Sequence, residues 1–304
     1  MKMRKLFYLP ALLLIASCGG GTETETTEKK DSVITEVKCG PLKTSEEVAA
    51  APVFHHIADI DTVKDKSTII RFVSEDYYKP FPAEILEACN LQVLALQNMT
   101  DTELPADIGK FTNLTTLVLS NASITTLPES VSELKNLKAV SLSGCKALDI
   151  NQALDVLKKC PNIQYLNLSG MELTEVPASI GDFSALLELQ VSYNKFVKMP
   201  DSFYTLQNLE EIHFSGSATY DYDDFFTKAK AFPNLKILSL QYCGFTSLPA
   251  ILNEYPALTT VRWREEWKDY DADKIIATTE KENKKFPKLE VTWSEMSGMY
   301  YDIY

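Results

Sequence analysis

Several things are scarce in this chain. It has 304 residues but only three histidines and 11 glycines. Three of those glycines are adjacent, Gly19 to Gly21, and no glycine loop of the phosphate-binding kind is present. GxSxG, HExxH and CxxC are also missing. The six cysteines are scattered, which leaves little for a metal cluster or a cofactor. Positive charge is short as well. Thirty Lys and Arg stand against 42 Asp and Glu, for a formal charge of −12. Nucleic-acid phosphates repel such a chain. No apolar run reaches the about 20 residues that a membrane-spanning helix needs. The longest near the start, Leu6 to Ala16, has eleven residues and is broken only by Pro10.

What is present begins with an address. Lys2, Arg4 and Lys5 precede the short apolar run, as in a secretory leader. The run ends in Leu14-Ile15-Ala16-Ser17-Cys18, which resembles the bacterial lipobox. An ordinary signal peptide with a chance cysteine is the alternative. The resemblance implies cleavage after residue 17 and lipidation of the Cys18 thiol. Loss of the leader takes the charge from −12 to −15. Acyl chains anchor by about 0.8 kcal/mol per buried methylene, without a transmembrane helix. Residues 18–43 read as the lipidated cysteine and a tether. The Thr/Glu-rich stretch up to residue 38 has no apolar residue before Val33 and cannot offset its ordering entropy. Its mean reach is roughly 25 Å. Gly19 and the acidic run resemble permissive export tags of surface lipoproteins. The implied address is the outer membrane or cell surface.

The body is a repeat. Leu91-Gln-Val-Leu94-Ala-Leu96 is followed by Leu104-Pro105-Ala-Asp-Ile108. The same layout recurs with Leu114 and Pro128, Ile163 and Pro177, Leu186 and Pro200, and Leu235 and Pro249. Unit starts fall at Thr68, Leu91, Leu114, Leu137, Ile163, Leu186, Leu209, Leu235 and Leu258. Most spacings are 23 residues, and the units from Leu137 and Leu209 take 26. The pattern resembles the leucine-rich repeat family, in its 23-residue class with a Leu-Pro step. One such unit cannot bury its leucines alone, so units stack into a parallel sheet with a continuous core. The resemblance implies an α/β solenoid. A curved parallel sheet forms the concave side, and short helices and turns form the convex side. Nine or ten strands are expected.

Proline fixes φ and lacks an N–H for the ladder, so each Leu-Pro step should end a strand and open a helical turn. The two long units lack the proline. Asn151 to Cys160 and Asp223 to Phe232 carry apolar residues at helical spacing instead. Residues 44–67 read as an N-terminal cap, with a helix over Thr44 to Ile57 opened by the capping box Thr44-Ser-Glu-Glu47. The repeats occupy residues 68–267. Residues 268–304 read as a C-terminal cap and tail, with a helix over Asp271 to Lys285. A last strand follows in Phe286-Pro-Lys-Leu289-Glu-Val-Thr-Trp293, aligned with Phe232-Pro-Asn-Leu235.

Cys145 and Cys243 fall at the ninth unit position, where the family usually places Asn or Cys. Only Asn194 supplies the asparagine there, which leaves the loop hydrogen bonding open. These cysteines and Cys160 read as buried thiols. Cys39 and Cys89 lie near the N-terminal cap. In an exported protein they could pair, given Cα atoms within about 7 Å. His55 and His56 point in different directions and suit the end of a surface helix. Tyr220-Asp-Tyr-Asp-Asp224 lacks the spacing of a calcium loop and reads as a solvated loop or helix start.

The third, fifth and seventh residues of each unit should line the concave face. The fifth-position column reads Ala95, Val118, Ser141, Asn167, Gln190, His213, Ser239, Arg262. The seventh is mostly serine, ending in Gln241 and Arg264. Tyr165, Glu188, Tyr193, Glu211 and Tyr242 join them in the later units. Tyr and Arg are frequent interface anchors. The candidate binding residues are therefore Tyr165, Gln190, Tyr193, His213, Tyr242, Arg262 and Arg264. Trp263 takes an inward position and reads as core. The expected function is recognition of a protein or glycan partner, without catalysis. An envelope structural protein that associates with itself, or a glycan-active enzyme, are the alternatives.

Overall fold

The computed structural model describes residues 39–76, 78–217, 219–264 and 272–292. The leader, Cys18, most of the tether, Trp293 and the aromatic tail lie outside them. The fold is a leucine-rich repeat solenoid built on one sheet of eleven parallel strands, hydrogen-bonded in sequence order. The strands are β1 (Val53–Phe54), β2 (Arg71–Val73), β3 (Val93–Gln97), β4 (Thr116–Ser120), β5 (Ala139–Ser141) and β6 (Tyr165–Asn167). They continue as β7 (Glu188–Gln190), β8 (Glu211–His213), β9 (Ile237–Gln241), β10 (Thr260–Arg264) and β11 (Glu290–Thr292). The helices are α1 (Ser45–Ala50), α2 (Ile57–Thr62), α3 (Ile150–Leu157), α4 (Tyr222–Ala229) and α5 (Ala272–Lys285).

The proline units behave alike. Each proline is the N-cap of a short 3-10 turn, one position earlier than the first helical residue. Its carbonyl accepts the N–H three residues on, as from Ile108 to Pro105 at 3.1 Å. That third residue reaches the core: Ile85, Ile108, Val131, Ile180, Phe203 and Leu252 are all fully buried. The two long units carry α3 and α4 in place of the 3-10 turn. Asp149 caps α3 and Asp221 caps α4 through side-chain oxygens. Asp221 belongs to the acidic Tyr220–Asp224 segment, which is a helix start. Its tyrosines are not solvated, however. Tyr220 and Tyr222 are buried beside Phe214 and Phe225. Tyr222 donates to the Ser217 carbonyl at 3.1 Å, and burial pushes both phenols well above the ordinary range.

The loops find their hydrogen bonds in two ways. At the ninth position Asn194 donates to the carbonyls of Leu168 and Val191 and accepts from Leu173 N–H. Two units away on either side thiols take its place. Cys145 donates to Leu119 O at 2.8 Å, and Cys243 lies 3.5 Å from Phe214 O. A second column stands just before the strands. Asn136, Asn162, Asn208 and Asn234 each donate to a carbonyl of the preceding unit at 2.8–2.9 Å. This ladder satisfies carbonyls at the opposite end of the strands from the ninth position.

Both caps differ from their sequence reading by one residue of register. Arg71 pairs with Val93 and Phe72 with Leu94, so the first unit begins at Ile69 rather than Thr68. A one-residue slip exchanges the two faces. The observed register buries Phe72 in the core, where the other would bury Arg71. At the far end Val291 pairs with Val261, an inward position, so Leu289 does not align with Leu235. Asn283 of α5 seals this edge by accepting from Val291 N–H and donating to its carbonyl, at 2.8 and 2.9 Å. Buried Glu282 accepts from Leu248 N–H and docks α5 on the last 3-10 turn.

The N-terminal cap is not one helix over Thr44 to Ile57. The Thr44–Glu47 capping box forms, but α1 stops at Ala50. Pro52 then helps to extend the chain into β1, which brings the sheet to eleven strands. His56 caps α2 instead of ending a helix, and its ring meets Asp76 at 3.1 Å.

Candidate functional site

The concave face has two halves. In the first, Val73, Val93, Ala95 and Val118 form an apolar patch outside the main core. Val48 of α1 and Val53 pack on it. The segment before α1 is tied down along the strand starts. Gly40 N–H donates to Asn90 and Gly40 O accepts from Asn113. Gln92 exchanges two hydrogen bonds with Lys43. A cleft of about 620 Å³ remains between α1 and the sheet, bounded by Arg71, Lys138, Tyr165 and Glu188.

The second half is polar. Its centre is a buried charge cluster. Nε2 of His213 on β8 lies 2.8 Å from Glu211 Oε1 and 3.5 Å from Glu188 Oε1 on β7. Arg262 on β10 makes an ion pair with Glu211 on β8, two strands away, with Ser239 on β9 between them. Gln190 donates to Glu188 at 2.6 Å. Glu188, Gln190, His213 and Arg262 are buried, and Glu211 is partly exposed. Burial opposes charging His213, but the two carboxylates outweigh it and raise its pKa. Burial likewise opposes charging Glu211, yet His213 and Arg262 hold its pKa down. Two carboxylates thus face one guanidinium and one imidazole whose protonated form they favour.

Glu188, Glu211 and His213 also bring their ligand atoms within 4.8 Å of one another. Among the described residues, no other group of three potential ligands is so arranged. Arg262 already brings one positive charge against these carboxylates. The arrangement is that of a self-neutralising brace, which fixes the imidazole under the neighbouring groove.

That groove, of about 320 Å³, crosses β5 to β9 near the strand ends. Its floor is Asn167, Gln190, His213 and Ser239. The serines Ser143, Ser169, Ser192 and Ser215, with Gln241, add hydroxyls and an amide. Tyr193 and Tyr242 stand on it. Both occupy the eighth unit position, where the chain leaves the strand with positive φ. Other copies use residues that tolerate this: Asn98 and Asn121 at 52° and 53°, Gly144, Gly170 and Gly216 near 70°. Tyr193 and Tyr242 adopt 56° and 57°, a rare conformation for a bulky residue. The Tyr193 ring rests on Gly216, where a Cβ would meet ring carbon Cδ1 at 2.3 Å. The residue is still 57% exposed. Arg264 lies 5.3 Å over the Tyr242 ring.

The sequence candidates therefore divide. Gln190, Tyr193, His213 and Tyr242 meet in one groove. Arg264 backs Tyr242. Arg262 is a buried partner of Glu211 rather than a surface anchor. Tyr165 belongs to the cleft beside α1. Glu188 and Glu211 were on the face by periodicity, but their pairing with His213 and Arg262 needs the strand order. Trp263 is core. Cys145, Cys160 and Cys243 are buried thiols. Cys39 and Cys89 are thiols, and the Cys89 pKa is pushed up to about 11 by burial and then by the adjoining Cys39.

No protein-family profile matches the chain, and no curated protein is significantly similar to it in sequence. Solved structures of similar fold include a leucine-rich repeat protein of Leptospira interrogans. It is 19% identical over 74% of this chain and 72% of its own, with a TM-score of 0.41. The internalin inlF of Listeria monocytogenes is 14% identical over 81% and 73%, with a TM-score of 0.49. Internalin C2 of the same organism is 19% identical over 59% and 76%, at 0.46. These likenesses concern the fold alone.

Proposed function

We propose that this chain is a non-catalytic recognition protein that binds its partner on the C-terminal half of the concave face. The observation that carries the reading is the Tyr193–Tyr242 groove, open while the apolar N-terminal half is covered by α1. An exposed Tyr193 ring and a half-buried Tyr242 ring on a rigid sheet suit binding, because little side-chain entropy is lost on contact. The buried cluster beneath supports rigidity, not chemistry, since its carboxylates and cations are engaged with one another.

The lipobox-like Leu14–Cys18 supports an exported lipoprotein, held to the outer membrane or cell surface by acyl chains on Cys18. Labelled palmitate should enter the full chain and be lost in Cys18→Ala. For the binding face, a photocrosslinking residue at position 242 should give discrete adducts on producing cells. The same probe at position 118, under α1, should give none. Equal adduct patterns from both positions would remove the distinction between the halves.

A further inference from the structure

Three observations on the open half point to one ligand chemistry. The first is the lining of the groove. Apart from His213, it consists of serine hydroxyls, the amides of Asn167, Gln190 and Gln241, and two tyrosines. No aliphatic side chain lines it, so an apolar anchor of a peptide finds no hole. His213 is engaged by Glu188 and Glu211, Arg262 pairs with Glu211, and Arg264 stacks on Tyr242. Among the described residues, the groove therefore has no cation directed at an anionic ligand.

The second observation is backbone cost. A non-glycine residue in the left-handed region costs about 1–2 kcal/mol. Asparagine or glycine fills this position in five other copies, at Asn98, Asn121, Gly144, Gly170 and Gly216. Tyr78 and Glu172 share the conformation elsewhere in their units, but at the eighth position the two exceptions, Tyr193 and Tyr242, are the two tyrosines of this groove. Strain retained at such positions is a mark of function. The third is the fit of Tyr193 to its neighbour. Gly216 leaves room for the ring, and no larger residue would. The ring is thereby laid over the next unit with more than half of the residue exposed.

A sugar ring has an apolar C–H face and a rim of neutral hydroxyls. It is recognised by an aromatic face beside hydroxyl and amide groups. We propose that the groove binds a neutral carbohydrate chain, with sugar rings stacked on Tyr193 and Tyr242 and their hydroxyls meeting Ser192, Ser215 and Gln241. The volume of about 320 Å³ lies at the small end of ligand clefts and suits one or two sugar rings. This inference rests on the reading of the open half as the recognition face and narrows its partner.

The test is calorimetry on the full chain in detergent, against tetrasaccharides of glucose, mannose, galactose and N-acetylglucosamine. At least one should bind. Tyr193→Asn and Tyr242→Asn should each weaken it by about tenfold or more. Asparagine already takes this conformation at Asn98 and Asn121, so melting temperatures should hold or rise. Tyr78→Ala, at an exposed tyrosine of the first unit, should leave binding unchanged. Failure of the whole panel, or binding that both Asn variants retain, overturns the inference. If the panel fails while crosslinks from position 242 persist, the recognition face stands and the carbohydrate falls.

Discussion

The two halves of the concave face share a backbone and differ in what they do with it. The N-terminal half puts valine and alanine at outward strand positions and covers them with α1. The C-terminal half puts Glu188, Glu211, His213 and Arg262 at equivalent positions and leaves the face open. The core follows the same division. Under the first half it is mostly Ile and Leu. Around α4 it is aromatic, with Phe203 and Phe232 joined through Tyr204 to Phe225, Phe226, Phe214 and Tyr220. Edge-to-face aromatic pairs add about 0.5–1.5 kcal/mol each beyond burial. The lesson is that a polar, open face needs bracing, by ion pairs above the sheet and by stiff rings below it. An apolar face needs only a lid.

The comparison can be broken most severely at Arg262. Arg262→Met leaves Glu211 and Glu188 buried with one cation between them. A loss of about 3–5 kcal/mol is expected in urea unfolding. The double variant Arg262→Met with Glu211→Gln should recover part of it. A loss below about 1 kcal/mol in the single variant would mean that the brace is not carrying stability. The lid offers the next test. Gln92→Ala removes both hydrogen bonds to Lys43 and should cost about 1–2 kcal/mol. Amide exchange should quicken in α1 while β7 to β9 stay protected.

The smallest effect is a slope. The pKa of His213 is raised, so its contribution is complete below the unfolded value of about 6.5. It fades as pH rises through the folded value. The pKa of Glu211 is lowered, so its contribution is complete above about 4.3 and fades as pH falls through the folded value. Stability should therefore fall on both sides of a mildly acidic maximum. His213→Gln should flatten the alkaline arm and also weaken the acid arm, because His213 helps to hold the Glu211 pKa down, read as melting temperature from pH 4 to 9. An unchanged alkaline arm would assign that slope to another group.

Much of this was legible in the sequence. The Leu-Pro copies located the strands, the 3-10 turns and, by their absence, α3 and α4. The register of the first unit was legible too, because starting it at Thr68 would bury Arg71. The Asn column before the strands repeats as plainly as the leucines, at Asn90, Asn113 and Asn136. What could not be read lay between units. The pairing of Arg262 with Glu211 spans 51 residues and needs strand order. The path of α1 across Val73 and Val118 obeys no repeat. The left-handed tyrosines look like any other residue until the eighth position is known to need positive φ.

The course of the chain before α1 has a mechanical consequence. Gly40 is bonded to Asn90 and Asn113, and Lys43 to Gln92, so the segment lies across successive strands rather than continuing one of them. A pull on the N-terminus does not peel β1 from the sheet bond by bond. It loads several contacts of neighbouring coils together, in shear. Drag on the body is thus shared among the first coils before any strand is asked to part.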